Sequence, residues 1–208
     1  TCVHLEDAHG IVRMFDHVVI ATHADQALEL IAVPTPKEQA LLATFAYERN
    51  HAVLHRDKRF MPRRRRLWQS WNYIKRGQGL ECELCVSYWM NSLQKLPTKT
   101  DLFVTLNPPW DIHPKAIDLE VDYDHPVFDA EAIAAQRRLW SLQGKERTWF
   151  CGSYFGYGFH EDGLQSGLAV AEQLGGVSRP WSVPDESGRI HVTHDAGAAG
   201  AASLVAAE

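Results

Sequence analysis

Residues 149–167 read WFCGSYFGYGFHEDGLQSG, with five glycines and two acids among six Phe, Tyr and Trp rings. The β-prone start, the glycine-rich middle and the acidic entry into a periodic segment predict a strand, a loop and a helix. This order presents unpaired backbone N–H groups at a helix N-terminus, where an anionic or polar ligand can bind. The spacing of Gly156, Gly158 and Gly163 differs from the GxGxxG turn of dinucleotide folds. A helix that packs tightly on a sheet without a ligand is therefore an equally supported alternative.

The predicted helix carries small residues on one face, because Gly163, Gly167 and Ala171 recur every four residues. A face without large side chains lets a flat ligand or another backbone approach closely. The helix is predicted to run to about Leu174 and to end at the glycine pair 175–176.

Working outward, residues 16–22, DHVVIAT, predict a buried strand of the kind found in α/β sheets. The capping box at residues 35–38, TPKE, predicts a helix from about Pro36 to Tyr47. A second helix is predicted from Asp129 to about residue 142, ending at Gly144, and a last strand over 148–154. The expected core positions of this second helix are Ile133, Leu139 and Leu142.

The middle of the chain has a different amino-acid composition. Short runs rich in Val, Trp and Tyr over residues 50–56, 67–74, 84–90 and 102–106 predict a mostly antiparallel sheet. The cluster Asp122, Asp124, His125 and Asp129 is interpreted as an acidic loop that caps the next helix, with a cation site as the alternative.

Composition narrows the function classes. A chain of 208 residues with net charge −5 lacks the broad basic footprint of a nucleic-acid-binding protein. The sequence has no apolar run of about 18 residues, so we expect no transmembrane segment. Four scattered cysteines indicate free thiols and a reducing compartment. The expected location is the cytoplasm, with peripheral association at a membrane as an alternative.

Three groups of residues resemble one known superfamily. Residues 16–28, DHVVIATHADQAL, resemble the segment in which flavin-containing amine oxidases complete the nucleotide-binding sheet. Gly152 and residues 161–167, EDGLQSG, are similar to the C-terminal return of the amine oxidase and phytoene desaturase superfamily, which commonly reads Glu-Gly-Ala-x-x-Ser-Gly beneath the isoalloxazine. Residues 61–64, 70–73 and 88–91 further resemble a bacterial amine-oxidase-like branch of NAD/FAD-binding proteins. The resemblance runs from about residue 3 to residue 181.

The resemblance implies an α/β (α+β) fold, with part of a Rossmann-like FAD-binding domain and a mixed or antiparallel substrate-domain sheet. Residues 1–30 would end the FAD-binding domain, 31–147 would form the substrate domain, and 148–178 would return to the FAD-binding domain. Residues 179–208 would form a largely disordered tail. The GxGxxG half of the superfamily lies upstream of anything in this sequence, so the N-terminal part of the same protein is the implied partner.

The implied cofactor is FAD, and the resemblance transfers its contacts to seven positions. These are Gly152, Ser153, Glu161, Asp162, Gly163, Leu164 and Gly167. N–H groups around Asp162, Gly163 and Leu164 would face the flavin pyrimidine edge or the ribityl chain, and Gly152 would let the strand pass close to the cofactor. Ser153 stands where many relatives have an acid, and Asp162-Gly163 stands where many have Gly-Ala.

The implied activity is FAD-dependent hydride transfer from an amine or a hydrophobic, acyl-like substrate to flavin N5. A non-catalytic domain that keeps the flavin fold is the alternative. Candidate pocket residues are Trp71, Tyr73, Tyr154, Tyr157 and His160, with core packing as the alternative for the aromatics. No catalytic base is identified. Alone, these 208 residues are expected to bind FAD weakly and to be inactive.

Two further motifs carry open alternatives. The pair Cys82-x-x-Cys85 is interpreted as ordinary strand residues rather than a zinc or redox site, because no second ligand pair follows. No metal is therefore predicted. The run Arg63-Arg64-Arg65-Arg66 is interpreted as a solvated turn, with recognition of phosphate, an anionic lipid headgroup or a carboxylate as the alternative.

Overall fold

The computed structural model describes residues 2–77, 83–183 and 188–193 and shows an α/β fold with parallel and antiparallel sheets. It contains two compact units: unit 1 comprises Thr1–Tyr47 with Pro126–Glu208, and unit 2 comprises Glu48–His125. The chain thus changes unit near residues 47 and 126, whereas the sequence places the domain limits near residues 30 and 148. Which unit carries which function stays a prediction.

Unit 1 contains two small sheets. Strands β1 (Val3–Glu6) and β2 (Val12–Phe15) form an antiparallel hairpin. Strands β3 (Val18–Ile20) and β9 (Thr148–Phe150) pair in parallel, with Val19 opposite Trp149. Strand β3 lies inside the predicted 16–22 run, and β9 is shorter than the predicted 148–154.

Four helices surround the parallel pair in unit 1. They are α1 (Ala24–Leu30), α2 (Pro36–Leu42), α4 (Ala130–Leu139) and α5 (His160–Gly175). Helix α1 was not predicted, and α2 is shorter than predicted because the chain enters the next strand at residue 46.

Local capping explains why three of these helices start where they do. Thr35 Oγ1 accepts from the Glu38 N–H at 3.2 Å while the Glu38 carboxylate accepts from the Thr35 N–H at 2.8 Å. Asp129 Oδ1 accepts from the Ala132 N–H at 2.8 Å and starts α4. The start of α5 depends on Asp162 and is described below. The capping signals in the sequence are therefore confirmed.

The core of unit 1 lies between the helices and the parallel strands. Its fully buried side chains include Leu41, Leu42, Leu139, Leu142, Phe150, Tyr154 and Phe155. Ile133 was predicted to join this core, but half of its surface is exposed (50%) because it lies on the outer face of α4. Ile190 and Val192, in the segment predicted as a disordered tail, pack against this core. Residues 194–208 lie outside the described part of the chain.

Unit 2 is built on a five-stranded sheet with the order β5-β6-β7-β4-β8. Strands β5 and β7 pair with β6, and β4 pairs with β7, all antiparallel as predicted. The strands are β4 (Ala46–His55), β5 (Trp71–Arg76), β6 (Glu83–Trp89), β7 (Phe103–Leu106) and β8 (Ile117–Val127), and helix α3 (Met90–Leu93) follows β6.

Strand β8 corrects one prediction. Asp122, Asp124 and His125 lie in this strand and not in an acidic loop before α4. The pattern IDLEVDYDHPV alternates apolar and acidic residues, which suits a strand at the edge of a sheet with one wet face. Arg49 of β4 lies 3.9 Å from the Asp122 carboxylate and 3.8 Å from that of Asp124, so the acids pair across the strands.

A chain of polar side chains crosses the buried face of this sheet. His55, Thr105 and Ser87 have no exposed surface. The Asp57 N–H donates to His55 Nδ1 at 3.1 Å, so the ring proton is on Nε2, which donates to Thr105 Oγ1 at 2.7 Å. Thr105 Oγ1 in turn donates to Ser87 Oγ at 2.9 Å. Three strands are thereby joined through satisfied polar groups.

Burial lowers the pKa of His55 from 6.5 to about 4, although Asp57 and Asp118 oppose this shift. The folded protein therefore keeps His55 neutral at a pH where the unfolded chain binds a proton. The resulting stability is complete above about pH 6.5 and is lost as the pH falls towards 4. Its size is about 3 kcal/mol for a shift of this magnitude.

We predict that His55→Gln removes this dependence while keeping a donor towards Thr105. Urea unfolding measured from pH 7.5 to 4 should show the native free energy of unfolding falling by about 3 kcal/mol, and that of the variant changing much less. Below pH 4 the free energy of unfolding should fall in both proteins, because carboxylates such as Asp101, whose pKa is lowered to about 2, become protonated. Equal slopes between pH 6.5 and 4 would contradict the assignment.

Candidate functional site

The candidate site lies where the two parallel strands of unit 1 end. Because β3 and β9 run in the same direction, the segment after Ile20 and the segment after Phe150 start at the same edge. The first leads through Thr22 and His23 into α1, and the second forms the glycine-rich loop that leads into α5. In open α/β sheets, ligands bind outside this carboxyl edge.

Gly152 is required by the packing of the chain itself. A Cβ on Gly152 would lie 2.7 Å from the Tyr154 ring and 3.1 Å from the Thr22 carbonyl oxygen. The Tyr154 ring is 1% exposed and cannot move aside. The close approach between the two strand ends therefore explains this glycine without a cofactor, and a flavin contact at Gly152 stays a prediction.

The Ser166 hydroxyl fixes the loop to α5. Ser166 Oγ accepts from the Gly152 N–H at 3.0 Å and lies within donor distance of the Gly152 and Gly163 carbonyl oxygens, at 3.1 and 3.0 Å. It is fully buried. No role was predicted for this serine, although it belongs to the EDGLQSG motif. The sequence indicates this role only through the position of Ser166, one helical turn after Gly163, from which a hydroxyl can reach the preceding loop.

The Asp162 carboxylate is the centre of the loop. It is fully buried, and Oδ2 accepts from the N–H groups of Tyr157 and Phe159 at 3.0 and 2.8 Å. Arg189 Nε lies 3.0 Å from Asp162 Oδ1. The two groups form an ion pair, but their geometry does not allow a hydrogen bond. Asp162 thus closes the loop, starts α5 and attaches the segment 188–193 to it.

Gly156 makes room for this carboxylate. A Cβ at Gly156 would lie 2.5 Å from Asp162 Oδ1 and 2.6 Å from Cγ. From the other side, Gln136 of α4 donates to the carbonyl oxygens of Tyr154 and Gly156. The loop is therefore held by side chains from two helices.

These contacts change the predicted set of backbone donors. The N–H groups of Asp162 and Gly163 both donate to the Phe159 carbonyl, at 3.1 and 3.3 Å. The N–H groups of His160 and Glu161, at the first turn of α5, have no acceptor in the described part of the chain. Glu161 is exposed and accepts from the Gln165 side chain at 2.9 Å. A polar ligand at this helix start would therefore meet His160 and Glu161 first.

The glycine face of α5 is open. A Cβ at Gly167 would meet no atom within 4 Å, and one at Gly163 would meet only the Ser153 nitrogen, at an ordinary 3.7 Å. Leu164, on the same side of the first turns, is 56% exposed. Tight packing within the described chain therefore does not explain Gly163 and Gly167, and a ligand contact at these two positions stays a prediction.

Two buried polar atoms beside the strand ends have no partner among the described residues. They are the Tyr154 hydroxyl and His23 Nδ1. Burial raises the pKa of Tyr154 well above its usual value, so the hydroxyl keeps its proton. Both atoms are enclosed by the protein itself, so a ligand would reach them only if neighbouring side chains moved.

Tyr47 belongs to the same neighbourhood. Its ring stacks on His23 at 4.4 Å between centroids, and its hydroxyl accepts from the Ala24 N–H at 2.8 Å. Burial raises the pKa of Tyr47 to about 12. Burial also raises the pKa of Cys151, directly after β9, so this thiol is not a thiolate nucleophile at neutral pH.

The predicted pocket residues are divided between the two units. Tyr154 is buried against Phe45 and Phe155, so it is a core residue and does not line a pocket wall. Tyr157 is 63% exposed beneath the Arg189 guanidinium, 5.2 Å from its ring centroid, and His160 is exposed at the first position of α5. Trp71 and Tyr73 lie in unit 2, on the exposed side of β5.

The cysteine pair gives no site in the described residues. Cys82 lies outside them, and Cys85 is buried in β6, where burial raises its pKa to about 11. Within residues 2–77, 83–183 and 188–193, no three His, Cys, Asp or Glu side chains are grouped to hold a metal. The same residues contain no helix that is long and apolar enough to cross a membrane.

Comparison with known proteins supports the fold. Neither a protein-family model nor a curated protein sequence matches this chain. Among solved structures, it is similar to a CLA-producing fatty acid isomerase from P. acnes, with a TM-score of 0.53 and 12% sequence identity. The match covers 83% of this chain and 44% of the isomerase chain, so this chain spans less than half of that protein. At this identity the likeness shows the fold alone.

We predict opposite effects for two alanine substitutions at glycines of this site. Gly156→Ala forces the buried Asp162 carboxylate aside and should lower the free energy of unfolding by about 2 to 4 kcal/mol. Gly167→Ala meets open space in a helix and should leave stability unchanged or raise it by up to about 1 kcal/mol. Urea denaturation followed by circular dichroism measures both. A Gly156→Ala variant as stable as native would contradict the geometry of the loop.

Proposed function

We propose that this chain forms the flavin-ring end of the FAD site in an amine-oxidase-like oxidoreductase. The observation that carries the proposal is the glycine-rich loop that leads from the carboxyl edge of two parallel strands into the first turn of α5. The open face of α5 at Gly163 and Gly167 supports it, as does the resemblance of residues 16–28 and 161–167 to the superfamily.

FAD bound at this edge would supply the redox chemistry, by accepting a hydride from a substrate C–H bond. The chain supplies binding and orientation. The free N–H groups of His160 and Glu161 would face polar or anionic atoms of the cofactor. Arg189 compensates the charge of Asp162, so this buried acid does not repel an anionic ligand.

The loop itself would have little to reorganise on binding. Ser166, Asp162 and Gln136 already hold its backbone from three directions. A site that is formed before the ligand arrives loses less conformational entropy on binding. The exposed Tyr157, Phe159 and Leu164 beside it offer apolar surface to a hydrophobic substrate or to the ring system. We propose an amine or an acyl-like molecule as the substrate class, and we assign no catalytic base.

The proposed partner is the N-terminal part of the same protein, which would carry the glycine-rich pyrophosphate turn. The proposed location is the cytoplasm. The 44% coverage of the isomerase chain is compatible with a longer parent protein but carries no argument about substrate.

The flavin site is tested by placing a leucine on α5 at two positions of the full-length parent protein. Gly167 and Gly175 both face open space, so either leucine fits the chain itself. We expect Gly167→Leu to keep the native circular dichroism spectrum but to lose most of the flavin absorbance at purification, because the side chain occupies the proposed site. Gly175→Leu, at the far end of the helix, should keep it. Equal flavin content in both variants, or a flavin-free parent, would contradict the site.

Substrate turnover is a separate test. Under anaerobic conditions, addition of amines or unsaturated fatty acids to the flavin-loaded parent should bleach the flavin absorbance for one of the two classes. A parent that binds flavin but is reduced by neither class would favour the alternative, a non-catalytic domain that keeps the flavin fold.

A further inference from the structure

The residues between β4 and β5 carry an unusual excess of positive charge. Residues 56–66, RDKRFMPRRRR, contain seven Lys and Arg and one Asp. Residues 48–125 as a whole contain 13 basic and 10 acidic residues, although the complete chain has 21 and 26. Unit 2 is thus net positive in a protein that is net negative, and the excess lies in this segment.

Four of the seven cations are paired, and their pairs hold the segment in place. Arg56 Nε donates to Asp118 at 3.0 Å, and Arg59 donates to Asp57 at 2.6 to 3.0 Å. Arg65 makes a bidentate contact with the nearly buried Asp101, 2.8 Å for each bond. Lys58 lies 3.1 Å from the same carboxylate. The hydrogen bond from Arg65 lowers the pKa of Asp101 to about 2.

Two tryptophan rings also pack against Arg65. The Arg65 guanidinium lies 4.6 Å from the Trp68 ring centroid and 5.3 Å from that of Trp89. Trp68 Nε1 donates to the Pro62 carbonyl at 2.7 Å. Arg65 is therefore held in place by Asp101 and the two tryptophan rings, and we assign it a structural role.

The three remaining arginines, Arg63, Arg64 and Arg66, are exposed and have no acidic partner in the described chain. The next residue, Leu67, is also exposed. The residues just before and after this run, 59–62 and 71–75, line a groove that brings Met61 and Pro62 next to strand β5. Trp71 and Tyr73 lie on the solvent side of this strand and are 54% and 66% exposed.

We propose that these six residues, Arg63, Arg64, Arg66, Leu67, Trp71 and Tyr73, form a patch that docks unit 2 on a bilayer containing anionic phospholipids. Arginine binds phosphodiester oxygens through its planar donors, and Trp and Tyr prefer the interface between headgroups and acyl chains. Cations close to an anionic leaflet each add to the attraction. The patch combines these features in one short stretch. Trp71 and Tyr73 then belong to this surface rather than to a substrate pocket.

The test is a vesicle-binding assay with the 208-residue chain, which does not depend on flavin. Sucrose-loaded vesicles of pure phosphatidylcholine and of phosphatidylcholine with 30% phosphatidylglycerol are sedimented at low and high salt. We expect binding only to the anionic vesicles and a loss of binding at high salt, because exposed charges are screened. The combined variant Arg63→Gln, Arg64→Gln, Arg66→Gln should bind at least roughly tenfold more weakly.

A charge-matched control separates the patch from net charge. The combined variant Arg137→Gln, Arg138→Gln, Lys145→Gln also removes three exposed cations, but in unit 1. We expect it to bind like native, and both variants to keep the native circular dichroism spectrum. Trp71→Ser should weaken binding as well, since an interfacial ring is lost.

Several outcomes would overturn the proposal. These are equal losses in the two triple variants, binding to neutral vesicles at the native level, or no vesicle binding by the native chain. Free phosphate at millimolar concentration should not compete with vesicles. Tight binding of free phosphate or of an oligonucleotide through the same three arginines, without vesicle binding, would assign the patch to a soluble anion or to nucleic acid instead.

Discussion

The buried carboxylate of Asp162 organises the part of unit 1 that would hold a ligand. It joins the glycine-rich loop, the first turn of α5 and the segment 188–193. A buried charge is tolerated only when it is paired and hydrogen-bonded, and here two backbone donors and one guanidinium meet that requirement. The shape of the loop, the absence of a side chain at Gly156 and the position of Arg189 all follow from this constraint.

The same loop explains why the glycines differ from one another. Gly152 and Gly156 are small because other parts of the chain occupy the space beside them. Gly163 and Gly167 border space that no described residue fills. The first pair makes the loop possible, and the second pair leaves the helix face accessible. A cofactor with a flat ring system would explain the second pair.

Unit 2 uses buried polar groups in a different way. His55, Thr105 and Ser87 form a line across three strands, and Asp101 fixes the arginine-rich segment from one side. Pairing four of the seven cations in this segment leaves the other three on the surface beside exposed aromatic rings. The ion pairs of the other four cations distinguish this segment from an ordinary solvated turn, in which all the cations would be hydrated.

Much of the local structure could be read from the sequence. The capping box at Thr35, the N-cap at Asp129, the helix end at Gly176 and four strands of the unit 2 sheet are determined by short-range signals, in which each residue's partner lies a few positions away. Strand β8 was missed because its acids resemble those of a loop. The α/β class and the strand, loop and helix order of the candidate site followed from the same kind of signal.

The tertiary structure alone decided which of these residues share an environment. Nothing near Asp162 in the sequence indicates that Arg189 neutralises it, and nothing near Gly152 indicates that Thr22 lies against it. Burial also shows that Tyr154 is a core residue, whereas the sequence is compatible with a position on a pocket wall as well as in the core. Spacing and propensity report on the chain's own helices and strands, whereas charge compensation, close backbone contact and unpaired buried atoms depend on segments that meet only when the chain has folded.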